Sequence, residues 1–364
     1  MSLLTFESYP LWLNAVIFLL AAATIWFAGV RLERYADAIS TRTGLGQAFT
    51  GLLLLSIATS LPEVATTVTA VALLNNPTLA VYNLLGSVAL QTAILALADR
   101  VDRQSGALTH FSPRFALLIQ GVGLLLVLQL TIAGATAEGL PIIVSVSVWP
   151  VVIFLAYLNT LYLTYRYRGQ PRWTPSGVDD MPVEDRARSA PNSQPQSSSE
   201  ADPVPHRPLK NLWFLFSGFS LLVLVSGWAV AQSTDLLAEQ TGLGDEFLGA
   251  TLLALATGLP EVSTTITASR NGRYSMAISN IFGSNAFCIA LLLLAELLYR
   301  GGTVMAHAGK AAIFVSAIAA IMTSIYLWGM LERQDRTVFG MGWDSAAAAV
   351  VYLGGMTVLF FMAN

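Results

Sequence analysis

Charge is scarce in this chain. Asp, Glu, Lys and Arg make up 11% of its 364 residues, against 55% hydrophobic residues and a mean hydropathy of +0.63. Soluble domains carry about 25% charged residues. The deficit excludes an ordinary water-soluble fold, and the apolar runs are long enough to cross a hydrocarbon layer of roughly 30 Å. Cysteine is nearly absent. The single Cys288 excludes an internal disulfide framework and argues against a cysteine-built zinc site. The three histidines, His110, His206 and His307, form no His-Glu-x-x-His pair, and there is no P-loop. Neither metal-dependent hydrolysis nor ATP-driven pumping by this chain is expected, and the protein reads as a non-enzyme. A net charge of −3 offers nucleic acid no partner. Residues 1–10 lack a basic stretch, and the first apolar run continues to Arg31 without a small-residue cleavage pattern. No cleavable leader is expected.

What the chain does have is apolar runs. Ten spans are predicted at about 10–36, 44–73, 77–98, 113–134, 140–165, 210–236, 242–269, 273–299, 306–330 and 343–363. One polar stretch, about 169–209, interrupts them. It holds eight prolines from Pro171 to Pro208 and a Ser/Gln run at 193–199. It cannot bury enough apolar surface to fold alone, so a disordered linker is expected there.

Lys and Arg are distributed unevenly between the two sides of these spans. With residues 1–10 outside, 17 of the 19 fall inside; only Arg300 and Lys310 fall outside. Without the seven from Arg166 to Lys210, the ratio is still 10 to 2. The bias predicts both termini outside and the linker in the cytoplasm. The short chain carries no organelle signal, so a plasma (inner) membrane is expected. Five spans precede the linker and five follow it. Five is odd, so the second set enters the membrane with opposite topology.

The two sets share a sequence. Thr43-Gly-Leu-Gly…Ala58-Thr-Ser-Leu-Pro-Glu-Val-Ala-Thr-Thr-Val-Thr-Ala70 recurs 198 residues later, from Thr241 to Ala268, with 18 of 28 positions identical. The expected fold is therefore all-α: an integral membrane protein of ten transmembrane helices, built as two inverted-topology five-helix repeats. The repeats are residues 1–168 (motif 43–99) and 210–364 (motif 241–296), joined by linker 169–209. Such folds bind their substrate near the midplane, where the repeats meet. A duplicated packing motif would be built from small apolar residues and has no use for two buried glutamates.

Each copy places Pro-Glu inside an apolar run. Pro62 has no N–H and clashes with the carbonyl of Ala58, four residues back. In lipid a freed carbonyl must find another donor or a cation. Thr59, Thr66 and Thr67 lie four before, three after and four after Glu63, so a helix brings them to its face. The second copy repeats the set as the Ala256 carbonyl, Thr257, Glu261, Thr264 and Thr265. These are hard oxygen donors, suited to Ca²⁺ or Na⁺. The competing role for the threonines is back-bonding to their own helix. Further on, Asn83-Leu-Leu-Gly-Ser87 matches Asn280-Ile-Phe-Gly-Ser284. The glycines allow close helix approach, which lets Ser87 and Ser284 face the glutamates.

These motifs and their order resemble the cation/Ca²⁺ exchanger superfamily, most closely its prokaryotic Na⁺/Ca²⁺ exchangers. That family carries Gly-Thr-Ser-Leu-Pro-Glu and a later Asn…Gly-Ser-Asn in each of two repeats. The resemblance spans most of the chain outside the linker. It implies that Glu63 and Glu261 are the central Ca²⁺ ligands. It implies too that Thr59, Ser60, Thr257, Ser87 and Ser284 line Na⁺ or Ca²⁺ positions, and that spans 1 and 6 slide across the other eight. The chain departs from the pattern at Val88, where the family has Asn, although Asn285 keeps it in the second copy. Gly258 stands where the first copy has Ser60. Four residues after each serine, many Na⁺-coupled members have Asn and Asp; this chain has Gln91 and Cys288. Gln91 still offers a carbonyl oxygen, whereas Cys288 reads as a small buried side chain.

Asp99 and Glu296 follow the two serines by 12 residues, about 18 Å of helix, enough to reach a membrane face. Glu63 and Glu261 then give the site a charge of −2, which one Ca²⁺, two Na⁺ or two H⁺ neutralise. The expected function is a secondary antiporter exchanging Ca²⁺ for Na⁺ by alternating access. Two glutamates in a dry site could instead carry protons, making an H⁺-coupled exchanger of Ca²⁺ or another divalent ion. No cofactor and no protein partner is expected; the partners are the transported ions and the bilayer.

Overall fold

The computed structural model describes residues 9–43, 59–101, 106–110, 112, 115–137, 141–143, 146–167, 208–270, 272 and 274–363. Ala58, the first half of the span predicted at 44–73, and nearly all of the linker lie outside the described residues. Helices dominate, as a backbone in lipid must satisfy its own polar groups. In chain order they are α1 (Leu11–Thr43), α2 (Leu61–Leu73), α3 (Pro77–Val101), α4 (Phe115–Thr136), α5 (Val148–Arg166) and α6 (Leu209–Thr241). After them come α7 (Gly244–Thr257), α8 (Leu259–Arg270), α9 (Tyr274–Leu298), α10 (Lys310–Glu332) and α11 (Trp343–Ala363).

Eight of these helices are long and apolar enough to cross a membrane, and the bent pair α7–α8, counted as one span, brings the number to nine among the described residues. The shorter α2 is the described part of the remaining predicted span. The protein is an all-helical membrane protein. One predicted span is corrected. Residues 140–165 do not begin as helix: Pro141–Ile143 (β1) and Val146–Ser147 (β2) form a small antiparallel hairpin, and α5 starts only at Val148. Alternation of β-branched residues and serine over 142–148 favours extended backbone, and Pro141 has no N–H for a helix. A second hairpin, Thr337–Val338 (β3) with Met341–Gly342 (β4), joins α10 to α11.

The helices form a core and an outer pair. α3 is buried along nearly its whole length and packs against α9, α10, α11 and α8; α9 also packs against α4 and α5. Outside lie α1 and α6, each 33 residues, or about 50 Å at 1.5 Å per residue. They pack chiefly on each other and are antiparallel. Asn14 Nδ2, near the start of α1, donates to Gln240 Oε1, near the end of α6, at 3.2 Å. At the opposite ends Phe219 packs between Phe27 and Tyr35. Trp12, Leu19, Leu20 and Trp26 of α1, and Phe214 and Leu221 of α6, are exposed on the outer faces. Lipid accepts such residues where water would not.

The outer pair touches the motif helices through two glycines. A Cβ on Gly29 of α1 would sit 2.6 Å from Pro260 Cγ of α8. A Cβ on Gly227 of α6 would sit 2.6 Å from Ala65 Cβ and 3.5 Å from the Pro62 carbonyl of α2. These positions are 198 residues apart, the offset of the duplicated motif. Each outer helix therefore lies against the Pro-Glu turn of the opposite repeat.

A candidate cation-binding site

Both Pro-Glu turns sit at breaks in their spans. α7 and α8 meet at Gly258 with a bend of 55°. Pro260 cannot donate to the Ala256 carbonyl, and the helix restarts with Val262 N–H donating to Gly258 O at 3.1 Å. The first repeat restarts identically, with Val64 N–H donating to Ser60 O at 3.1 Å. Glu63 and Glu261 thus fall in the first turns of α2 and α8, where unsatisfied N–H groups favour a carboxylate. Both glutamates are fully buried.

The predicted threonines divide. Thr66 Oγ1 donates to the carbonyls of Pro62 (3.0 Å) and Glu63 (3.1 Å) and accepts from Asn83 Nδ2 at 2.9 Å. Thr264 Oγ1 donates to Glu261 O at 3.0 Å and accepts from Asn280 Nδ2 at 3.2 Å. These two are structural, tying each motif helix to the next one. Asn83 and Asn280 were legible only as the first letters of a repeated motif; their recurrence in both copies was the signal of this shared bond. Thr67 and Thr265 differ. Their hydroxyls, with Ser60 Oγ and Glu63 Oε2, are buried and make no hydrogen bond to any described residue. A buried polar group left unmatched costs about 1–3 kcal/mol.

Several contacts bring the repeats together. Ser87 Oγ of α3 lies 3.3 Å from Thr257 Oγ1 of α7, whose side chain also reaches toward Glu63. Gln91 Nε2 donates to Glu63 Oε1 at 3.4 Å, while Ser284 Oγ of α9 donates to Gln91 Oε1 at 2.9 Å. Cys288 is fully buried within electrostatic reach of both glutamates. Asn285 Nδ2 donates to Thr92 Oγ1 (2.9 Å) and Val88 O (3.3 Å), fastening α9 to α3, while its buried Oδ1 makes no hydrogen bond to any described residue. Thr59 is buried beside this cluster. At Gly86 the backbone of α3 meets that of Ala250 in α7, which a side chain at 86 would prevent.

Asp99 and Glu296 lie apart from this cluster, near the ends of α3 and α9. Asp99 accepts from the N–H groups of Leu108 (3.0 Å) and Gly342 (2.7 Å). Glu296 accepts from Ser147 (2.6 Å) and Val304 (2.8 Å). Each closes loops at its end of the bundle.

Known proteins share this layout. The family model described as "Sodium/calcium exchanger protein" matches residues 13–165 and again 210–362. The inner membrane protein YrbG of Escherichia coli (strain K12) is 26% identical over 307 residues, covering 84% of this chain and 86% of that protein. The sodium/calcium exchanger MaX1 of Methanosarcina acetivorans is 27% identical over 154 residues, 42% of this chain and 41% of that one. Among solved structures, the H⁺/Ca²⁺ exchanger CAX superposes with a TM-score of 0.64 at 13% identity, covering 96% of this chain and 85% of that one. The sodium-calcium exchanger NCX_Mj superposes with a TM-score of 0.52 at 18% identity, covering 96% and 99%. The likeness to these structures is one of fold. The family model covers most of this chain, once in each repeat, and the chain belongs to the sodium/calcium exchanger protein family.

Proposed function

We propose that this protein is a secondary antiporter that exchanges Ca²⁺ for Na⁺, binding both at the site built around Glu63 and Glu261. The observation that carries the reading is the pair of fully buried carboxylates at helix breaks, with unmatched hydroxyls beside them. Thr59, Ser60, Thr257, Ser87, Ser284, Gln91, Asn285 and the Ala58 and Ala256 carbonyls complete the proposed ligand set. Ca²⁺ takes six to eight oxygens at about 2.3–2.6 Å, and a set of this size supplies them without water. The two halves act as five-helix units, 1–168 and 210–364. The proposed orientation puts both termini outside an inner membrane and the linker in the cytoplasm, following the 17 to 2 division of Lys and Arg.

A second reading, H⁺ in place of Na⁺, is favoured by one feature. Gln91 and Cys288 stand where a third acid would be, so among the described residues the cluster holds the two carboxylates Glu63 and Glu261. The charge of −2 balances one Ca²⁺ against two monovalent ions of either kind. Exchange by either route is then closer to electroneutral than with a third acid in the site, and clamping the membrane potential should change the flux little; a large dependence on potential would overturn this.

Radiolabelled Ca²⁺ uptake into Na⁺-loaded proteoliposomes, diluted into Na⁺-free buffer at equal pH, tests the proposal. Uptake that needs internal Na⁺ and vanishes in Glu63→Gln and in Glu261→Gln is expected. Uptake driven instead by an acid interior would replace Na⁺ by H⁺, and Ca²⁺ uptake surviving both substitutions would remove the site.

A further inference from the structure

Gln91 is a neutral side chain that bonds to both repeats inside the site. Its Nε2 faces Glu63 of the first and its Oε1 faces Ser284 of the second. Gln91 and Glu63 are fully buried and Ser284 nearly so, so no bulk water competes for these groups. An amide has a donor end and an acceptor end, and rotation about its terminal torsion exchanges them. Its partners hold it differently. An ionised carboxylate only accepts, so it retains the N–H end. A cation repels N–H and takes a carbonyl oxygen. A hydroxyl donates or accepts, so Ser284 satisfies whichever end is turned toward it.

We infer that Gln91 is a two-position amide: its N–H end occupies Glu63 when the carboxylate is bare, and its oxygen turns to the cation when the site is loaded, with Ser284 reversing its role. This rests on Glu63 being an ion ligand and adds a change of role at Gln91 to that reading. In the bare site the amide supplies part of the positive charge that the carboxylate lacks. Loading breaks one N–H···O bond and makes one C=O···cation bond, so the hydrogen bond to Ser284 is kept throughout. The residue type follows from this. An acid at position 91 has no donor for Glu63, and an aliphatic side chain has neither end. Gly258 leaves room beside the amide: a Cβ there would lie 3.8 Å from Gln91 Cγ.

The test is difference infrared spectroscopy on the full chain in lipid, grown with glutamine labelled at its side-chain carbonyl, comparing Ca²⁺-free buffer with CaCl₂. The expected result is a shift of carboxylate bands together with a labelled glutamine band moving to lower frequency. That labelled band should be lost in Gln91→Leu and in the milder Gln91→Asn. Ca²⁺ binding by Gln91→Leu should weaken about tenfold, the size of one polar contact. If the carboxylate bands respond and no glutamine band moves, Gln91 is static and the inference falls while the ion site stands. If no carboxylate band responds to Ca²⁺, or the response persists unaltered in Glu63→Gln, the ion-site reading falls as well. The wild-type and Glu63→Gln spectra together separate these outcomes.

Discussion

Thr66 and Thr67 are neighbours with opposite duties. Thr66 is spent on its own helix and on Asn83, whereas the Thr67 hydroxyl meets no described partner. The sequence placed both beside Glu63, because i+3 and i+4 share a helix face. Spacing cannot say which hydroxyl turns inward; that depends on where Asn83 arrives from α3. Gln91 was legible as an oxygen donor, but its bond to Glu63 required the packing of α3 against α2. For Thr67→Val and Thr265→Val, stability and function should move apart. Removing an unmatched hydroxyl should leave thermal stability unchanged or raised, while Ca²⁺ affinity falls about tenfold for each. Thermal melts and Ca²⁺ titrations on the same samples check this. A melting temperature that drops while affinity holds would mark these threonines as structural.

At the scale of the element, hydropathy located most helix starts to within a few residues, while α1 and α6 run on past their predicted ends to Thr43 and Thr241. The run predicted at 210–236 is α6, Leu209–Thr241. It failed at 140–165, because hydropathy measures composition and is blind to whether an apolar run is coiled or extended. The contacts of Gly29 and Gly227 were equally invisible, since a glycine's partner lies on another helix. Those contacts carry a prediction about motion. An added methyl at either site overlaps its neighbour, and overpacking of this kind costs about 1–3 kcal/mol. If α1 and α6 slide across the motif helices, the overlap must be crossed in every cycle. Gly29→Ala and Gly227→Ala should each then lower turnover about tenfold with Ca²⁺ affinity unchanged. Stopped-flow exchange beside equilibrium binding separates this from a static contact, which would alter the melting temperature alone.

On the scale of the whole molecule, the inverted repeat could be read from an odd number of spans on either side of the linker. The antiparallel contact of α1 with α6 is its direct expression. The linker was readable as a break in composition, and the family match leaves out residues 166–209. Replacing 170–206 with a Gly/Ser segment of equal length should therefore preserve exchange; loss of transport in correctly inserted protein would assign the segment a working part. The way the outer pair crosses the core has a last consequence. α1 presses on the turn that holds Glu261, α6 presses on the turn that holds Glu63, and Asn14 and Gln240 fasten the two together. One packed pair of helices thus touches both Pro-Glu turns at once. In the proposed exchanger such a part would act as a double-throw switch with a single lever: uncovering the ions toward one face would cover them toward the other. A pore open at both faces would need the lever to be in two places, so under that proposal the linkage itself would protect the membrane against an ion leak.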